Sequence, residues 1–157
     1  MERDGHNWRV GSLRRVAQAL RLPKEGLDFL VEQYLKLLPD SVEDISMRMH
    51  LDGFDSWKIH LFNLVDRFRA EPDRDLIRHP PVGELDSRLQ ALIASTVEMI
   101  CAEVGQRAPD WCRGIPWLDT PWFVSGMENL KAIALVESPA FFRKRNIYVL
   151  GNFLNRV

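Results

Sequence analysis

Apolar residues recur along most of the chain with the three- and four-residue spacing of helices that bury one face. The first such stretch begins after Ser12, which is placed to cap a helix, and Pro23 ends it. A second stretch, residues 24–38, ends at Pro39 in the same way. The apolar positions of the two stretches are Leu13, Val16, Ala17, Leu20, Leu27, Leu30, Val31, Tyr34 and Leu38. The pattern therefore predicts two amphipathic helices before residue 40.

Three more helices are predicted between residues 41 and 104. Ser41 and Asp44 form a weaker version of a capping box for a short helix, and Gly53 breaks the chain after it. Residues 56–70 predict a strongly amphipathic helix, and residues 83–104 predict the longest helix, at the centre of the fold. The apolar faces of these two helices carry Trp57, Leu61, Leu64, Val65, Phe68, Leu85, Leu89, Leu92, Ile93, Thr96 and Ile100.

The helical pattern stops near residue 105. Residues 109–126 carry three prolines, two glycines and three of the five tryptophans, a composition that fits no regular element. A capping box, Ser125 with Glu128, then predicts a helix that runs to about residue 137, and a serine–proline pair opens another short one. The apolar run 147–150 fits a strand or an extended segment.

These elements predict an all-α fold, a compact bundle of five to seven unequal helices with an irregular aromatic, proline-rich segment near the C-terminal third. The chain has 157 residues, the size of one domain, and 46% of them are hydrophobic, enough for a core. We expect a single helical domain, 1–157. Residues 1–106 would form its helical core, and residues 107–157 the aromatic segment, short helices and a basic C-terminus.

Composition narrows the classes of function. The formal net charge of −1 argues against a surface that attracts nucleic acid as a whole, although local basic patches remain open. Two cysteines, Cys101 and Cys112, cannot form a disulfide framework or a four-cysteine metal site. The N-terminal sequence lacks the apolar core of a signal peptide, and no run of residues is apolar enough to span a membrane. We expect a cytoplasmic protein with reduced thiols.

The aromatic residues of the irregular segment are candidates for binding a protein partner. Tryptophan is enriched where proteins bind most tightly, because it buries a large rigid surface. The same rings would otherwise fill the space between helix ends and belong to the interior. Packing in the interior and binding of a partner are compatible if only one of the rings stays exposed. The candidates are Trp111, Trp117, Trp122 and Phe123.

Two basic clusters are candidates for binding nucleic acid or an acidic partner. The first lies in a helix–turn–helix-like stretch, but the would-be recognition helix carries Glu25, Asp28 and Glu32, which would face phosphates unfavourably. A solvated basic helix face is therefore the favoured interpretation of this cluster. The second cluster, near the C-terminus, could instead pair with acidic residues of the same fold. The candidate residues are Arg14, Arg15, Arg21, Arg143, Lys144 and Arg145.

One short motif suggests catalysis. Arg74 to His79 (RDLIRH) resembles the Arg-polar-x3-His motif of HEPN-domain ribonucleases, small helical bundles that act at a cleft between two protomers. The resemblance implies that Arg74 stabilises an RNA phosphate and that His79 acts as an acid or base near neutral pH. In that family the motif opens or interrupts a helix. Here Pro80 and Pro81 follow directly, and Pro80 disfavours helical geometry at His79.

No other spacing in the chain predicts a nucleophile, a phosphate loop, a metal site or a bound cofactor. We therefore expect a non-enzymatic protein-interaction or regulatory subunit of a prokaryotic complex, antitoxin-like or adaptor-like, with another protein as its partner. Homo-oligomerisation stays open. The alternatives are a HEPN-like ribonuclease that uses Arg74 and His79 in a dimer cleft, and a helix–turn–helix DNA-binding regulator that uses the basic first helix.

Overall fold

A computed structural model of the chain describes residues 36–155, and helices predominate among them. The prediction for the first N-terminal helix, with its basic residues, and that for the second as far as residue 35 lie outside the described residues. Residues 36–38, the predicted end of the second helix, are not helical but form a turn and a bend. From Asp40 onward the chain belongs to one compact unit. The α-helices of the described part, numbered from its start, are α1 (Val42–Asp52), α2 (Trp57–Ala70), α3 (Ser87–Glu103), α4 (Trp111–Gly114), α5 (Lys131–Glu137) and α6 (Ala140–Arg143).

The start of α1 confirms the predicted role of Ser41. The Ser41 hydroxyl oxygen accepts a hydrogen bond from the backbone N–H of Asp44 at 3.3 Å. The Asp44 carboxylate accepts one from the backbone N–H of Asp40 at 2.8 Å. These bonds satisfy N–H groups that have no partner inside the helix. Gly53 ends the helix with a positive φ of 94°, a conformation that favours glycine.

The amphipathic pattern of α2 is confirmed. Its buried residues recur at helical spacing, and the side chain of Arg69 at its end joins two distant parts of the fold. Arg69 donates hydrogen bonds to the Glu103 carboxylate at 2.8 and 2.9 Å and to the Leu154 carbonyl at 2.7 Å. The buried residues of α2 are Leu61, Phe62, Leu64, Val65 and Phe68.

Helix α3 is the longest described helix and contacts α2, α4 and α6. It begins four residues later than the predicted 83–104, because the side chain of Asp86 caps it by accepting a hydrogen bond from the N–H of Arg88 at 2.9 Å. The preceding residues form a turn, in which the N–H of Leu85 donates to the Val82 carbonyl at 3.2 Å. Almost every residue from Leu89 to Cys101 is buried, so α3 lies in the interior.

The C-terminal third contains one short pair of parallel strands, β1 (Trp122–Phe123) and β2 (Ile147–Tyr148). The predicted capping box does not form. Ser125 accepts a hydrogen bond from the N–H of Met127 at 3.3 Å, and the Glu128 carboxylate pairs with Lys131 at 2.6 Å instead of reaching back to Ser125. A 3₁₀ turn, Glu128–Leu130, therefore leads into α5.

No helix within residues 36–155 combines the length and the apolar composition that a bilayer crossing requires.

Candidate functional site

A buried arginine holds the segment that carries the candidate aromatic residues. Arg145, 3% exposed, donates hydrogen bonds to both carboxylate oxygens of Glu98, at 2.7 and 3.2 Å. The same guanidinium donates to the backbone carbonyls of Cys112 and Ile115. A planar group with five donors suits this arrangement, because it can neutralise one carboxylate and fix a loop backbone together. Arg145 thereby joins α3 to the segment around residues 112–115.

The charge of Glu98 is stabilised inside the fold. Burial alone would raise the pKa of its carboxyl group, but hydrogen bonds from Arg145 and Lys144, together with their charges, outweigh burial and hold the pKa below its ordinary value. The Lys144 ammonium lies 2.6 Å from a Glu98 oxygen. Glu98 is therefore ionised at neutral pH and serves as the counter-charge for two cations.

Trp117 lies on the segment that Arg145 fixes, and its side chain is 71% exposed. The next residue, Leu118, is buried and bound on both sides of its backbone. Its N–H donates to the Arg145 carbonyl at 3.0 Å, and its carbonyl accepts from the Asn146 side chain at 2.9 Å. Because the backbone on either side of Trp117 is tied to the interior, the indole is presented to solvent from a fixed position.

The other three candidate aromatic residues pack against the protein. The indole N–H of Trp111 donates to the Ile77 carbonyl at 2.9 Å. The ring of Trp122 lies 5.8 Å from that of Phe54 and 6.5 Å from that of Trp57. The ring of Phe123 stacks on Tyr148 at 5.0 Å. All three are partly buried, so Trp117 is the one that offers most of its ring to a partner.

The three residues of the C-terminal basic cluster lie in three different environments. Arg143 is exposed, Lys144 pairs with Glu98, and Arg145 is buried against the same carboxylate. Pairing within the fold, one of the interpretations drawn from the sequence, thus accounts for Lys144 and Arg145. The guanidinium of Arg145 faces the interior and is not presented to an external phosphate. The N-terminal candidates Arg14, Arg15 and Arg21 lie outside the described residues, so their role in binding nucleic acid or an acidic partner stays a prediction.

Both residues of the HEPN-like motif are exposed. Arg74 begins a 3₁₀ turn, Arg74–Ile77, and its guanidinium donates to the Arg107 carbonyl at 3.2 Å. His79 lies in a bend after this turn, followed by exposed Pro80 and buried Pro81. The bend at His79 agrees with the expectation that Pro80 disfavours helical geometry there. The roles implied by the resemblance require a second protomer and stay predictions.

Other reactive groups of the described part are engaged or shielded. The Nε2 atom of His60 lies 2.9 Å from the Asp52 carboxylate at the surface. Burial raises the pKa of the Cys101 thiol to about 11 and that of Cys112 to about 12, which keeps both thiols protonated at neutral pH. Among residues 36–155, no three metal-ligating side chains cluster together.

Sequence reasoning missed Glu98 as the organising charge of this site. Glu98 lies within the otherwise apolar or small-residue run ALIASTVEMIC of the predicted central helix. Helical spacing places Glu98 on a buried face, and a buried carboxylate needs a cation and hydrogen bonds. The sequence therefore indicates that Glu98 has a buried cationic partner, although it does not indicate which one. Its partner follows 47 positions later, a separation that periodicity cannot bridge.

Comparisons of the chain with protein-family models, with curated proteins and with solved structures found no match.

Proposed function

We propose that this protein is a non-enzymatic protein-interaction subunit, of the adaptor or antitoxin kind, and that Trp117 is the main contact with its partner. The observation that carries the proposal is the 71% exposure of Trp117 on a backbone fixed by buried hydrogen bonds. An exposed indole leaves a large apolar surface in water. When a partner buries this surface, the removal of apolar area from water is favourable. For this reason tryptophan is often a hot spot of protein–protein binding.

The fixed backbone around Trp117 strengthens this contact. A flexible loop loses conformational entropy when a partner orders it, at a cost of roughly 1 kcal/mol or more per ordered residue. Here the carbonyl of Ile115 and both backbone groups of Leu118 are already bound to Arg145 and Asn146. The entropy has been lost on folding, so more of the hydrophobic free energy of Trp117 is available for binding.

The charged groups beneath Trp117 support a binding role in preference to catalysis. Glu98 and Arg145 are buried, satisfy one another and hold the loop. A catalytic carboxylate or cation must reach a substrate, and these two groups face the interior. Their arrangement is that of a scaffold for an exposed side chain.

Capture of the partner from the native cell tests the proposal. Tagged wild-type protein should retain a specific protein, identified by mass spectrometry, that the Trp117→Ala variant loses. Because Trp117 is exposed, the substitution should change the free energy of unfolding by less than about 0.5 kcal/mol. Val104→Ser is the matched control, since Val104 is 39% exposed at the end of α3 and should leave capture unchanged. Equal capture by wild type and Trp117→Ala would overturn the proposal.

The two alternatives drawn from the sequence stay predictions with their own assays. A HEPN-like ribonuclease should lose RNA cleavage in both Arg74→Ala and His79→Ala. A DNA-binding regulator should lose affinity steeply as salt concentration rises, with the loss dependent on Arg14, Arg15 and Arg21.

A further inference from the structure

A second apolar surface of the described part is a groove with a volume of about 790 Å³. One wall is the first turns of α2, and the others are the turn after β1 and the segment after β2. Nine of its lining residues are apolar, and two of these, Ile59 and Met127, are largely exposed. The lining residues are Trp57, Lys58, Ile59, Phe62, Val124, Ser125, Met127, Leu130, Val149, Leu150, Asn152, Phe153 and Asn155.

Helix α5 forms a convex apolar ridge beside this groove. Val136 is 81% exposed, and Ile133 and Leu135 are each about half exposed. With Ala132 these residues cover one continuous arc of the helix surface, because successive residues are rotated by about 100°. Ala134 is the buried residue of α5. The helix therefore directs most of its apolar side chains toward solvent.

The groove and the ridge are neighbours on the same part of the surface. Leu130 lines the groove and is also the N-cap residue of α5. At the other end of α5, the Glu137 carboxylate accepts a hydrogen bond from the N–H of Gly151 at 3.1 Å, and Gly151 lies between two residues that line the groove. A concave apolar surface and a convex one thus lie side by side.

Their charges are complementary. Lys58 is the one charged residue among those that line the groove, and it has no acidic partner within the described residues. The ridge ends at Glu137, an exposed carboxylate with no cation in ion-pair distance among residues 36–155. The groove therefore carries one unpaired positive charge, and the ridge carries one unpaired negative charge.

We propose that a second copy of this chain occupies the groove, with α5 of each protomer inserted into the groove of the other. In a dimer with two-fold symmetry every contact between the protomers occurs twice. When α5 of one protomer enters the groove of the second, α5 of the second therefore also enters the groove of the first. Two grooves placed face to face would leave a void, whereas ridge in groove fills it at the density of a protein interior. The Lys58 ammonium of one protomer then meets the Glu137 carboxylate of the second copy.

Mass measurement by light scattering over a range of protein concentrations tests the dimer. Wild-type protein should show a concentration-dependent dimer, and Val136→Glu should be monomeric because it places a charge inside the interface. Val136 is 81% exposed, so at a protein concentration where both proteins are monomeric the variant should keep the wild-type unfolding midpoint. Trp117→Ala is the control that should remain dimeric. This control also separates the dimer from partner capture, so either proposal can fail without the other.

Exchange of the two charges tests the arrangement itself. Lys58→Glu and Glu137→Lys should each weaken dimerisation by about tenfold, because each places like charges opposite one another. The double variant should dimerise more tightly than either single variant, since the pair is restored with its charges reversed. Recovery should be partial, because Glu137→Lys also removes the acceptor of the Gly151 N–H. Wild-type protein that stays monomeric at every concentration overturns the proposal. A dimer that Val136→Glu leaves intact, or single reversals that the second reversal does not rescue, also overturns it.

Discussion

At the scale of single residues, the pairing of Arg145 with Glu98 decides how the C-terminal third is held. The sequence places Arg145 in a basic cluster, and pairing with acids of the fold was one of two interpretations. Periodicity along α3 shows that Glu98 is buried, but not which cation meets it. The choice of Arg145 over its neighbour Arg143 depends on where the segment after α6 crosses α3, which is a property of the folded chain.

The first prediction concerns the stability of this pair. Arg145→Met leaves the Glu98 carboxylate buried without its main partner and should lower the free energy of unfolding by about 3–5 kcal/mol. Arg143→Ala is the matched control, because Arg143 is exposed, and it should cost less than about 0.5 kcal/mol. Urea denaturation at neutral pH measures both. Equal stability of the two variants would refute the structural role of Arg145.

The second prediction concerns pH. The pKa of Glu98 is lower in the folded chain than in the unfolded one, so the unfolded state binds a proton first as pH falls. The stability that Glu98 contributes is present above its unfolded pKa and is lost as pH falls through its folded pKa. The gap in unfolding free energy between wild type and Glu98→Gln should therefore shrink on acidification. A gap that stays constant from neutral to acid pH would contradict the assignment.

The third prediction concerns the thiols. Burial raises the pKa of Cys101 to about 11 and that of Cys112 to about 12, and the thiolate is the form that reacts. A thiol-specific reagent at mildly alkaline pH should modify neither cysteine in the folded protein. In denaturant the reagent should modify both cysteines, which are the two that the chain contains. Rapid modification of the folded protein would show that the interior around α3 and α4 is open.

At the scale of elements, helical spacing predicted the buried faces better than the ends. The face of α2 is as expected, because burial of one stripe follows directly from the spacing of its apolar residues. The ends depend on individual hydrogen bonds. Ser41 caps α1 as predicted, whereas Asp86 caps α3 and shortens it. Before α5, Glu128 pairs with Lys131, and the predicted capping box is replaced by a 3₁₀ turn.

The fourth prediction tests the cap of α1. Ser41→Ala removes the hydroxyl that accepts from the Asp44 N–H and should lower the free energy of unfolding by about 1 kcal/mol. Ser87→Ala is the control, because Ser87 is exposed in the first turn of α3, where Asp86 supplies the cap. Chemical denaturation of the two variants compares them directly. A larger loss in Ser87→Ala would show that the caps are assigned to the wrong residues.

At the scale of the whole molecule, the mostly helical class could be predicted, and the candidate site only in part. Nothing in the sequence distinguished Trp117 from the other three aromatic candidates. Its exposure follows from contacts between distant segments, in which Arg145 and Asn146 bind the backbone on either side of it. The parallel pairing of β1 with β2 is equally non-local. Local patterns do not encode such contacts, because they depend on which segments meet after the helices have packed.

The central claim, that Trp117 is the contact with a partner, is tested most directly by fluorine NMR of protein labelled with fluorotryptophan. The five tryptophans give five resonances, and Trp117→Phe identifies the one that belongs to Trp117. When the captured partner is added, the Trp117 resonance should show the largest shift or broadening, because its exposed ring enters the interface. Binding that leaves the Trp117 resonance unchanged while another tryptophan responds would contradict the claim.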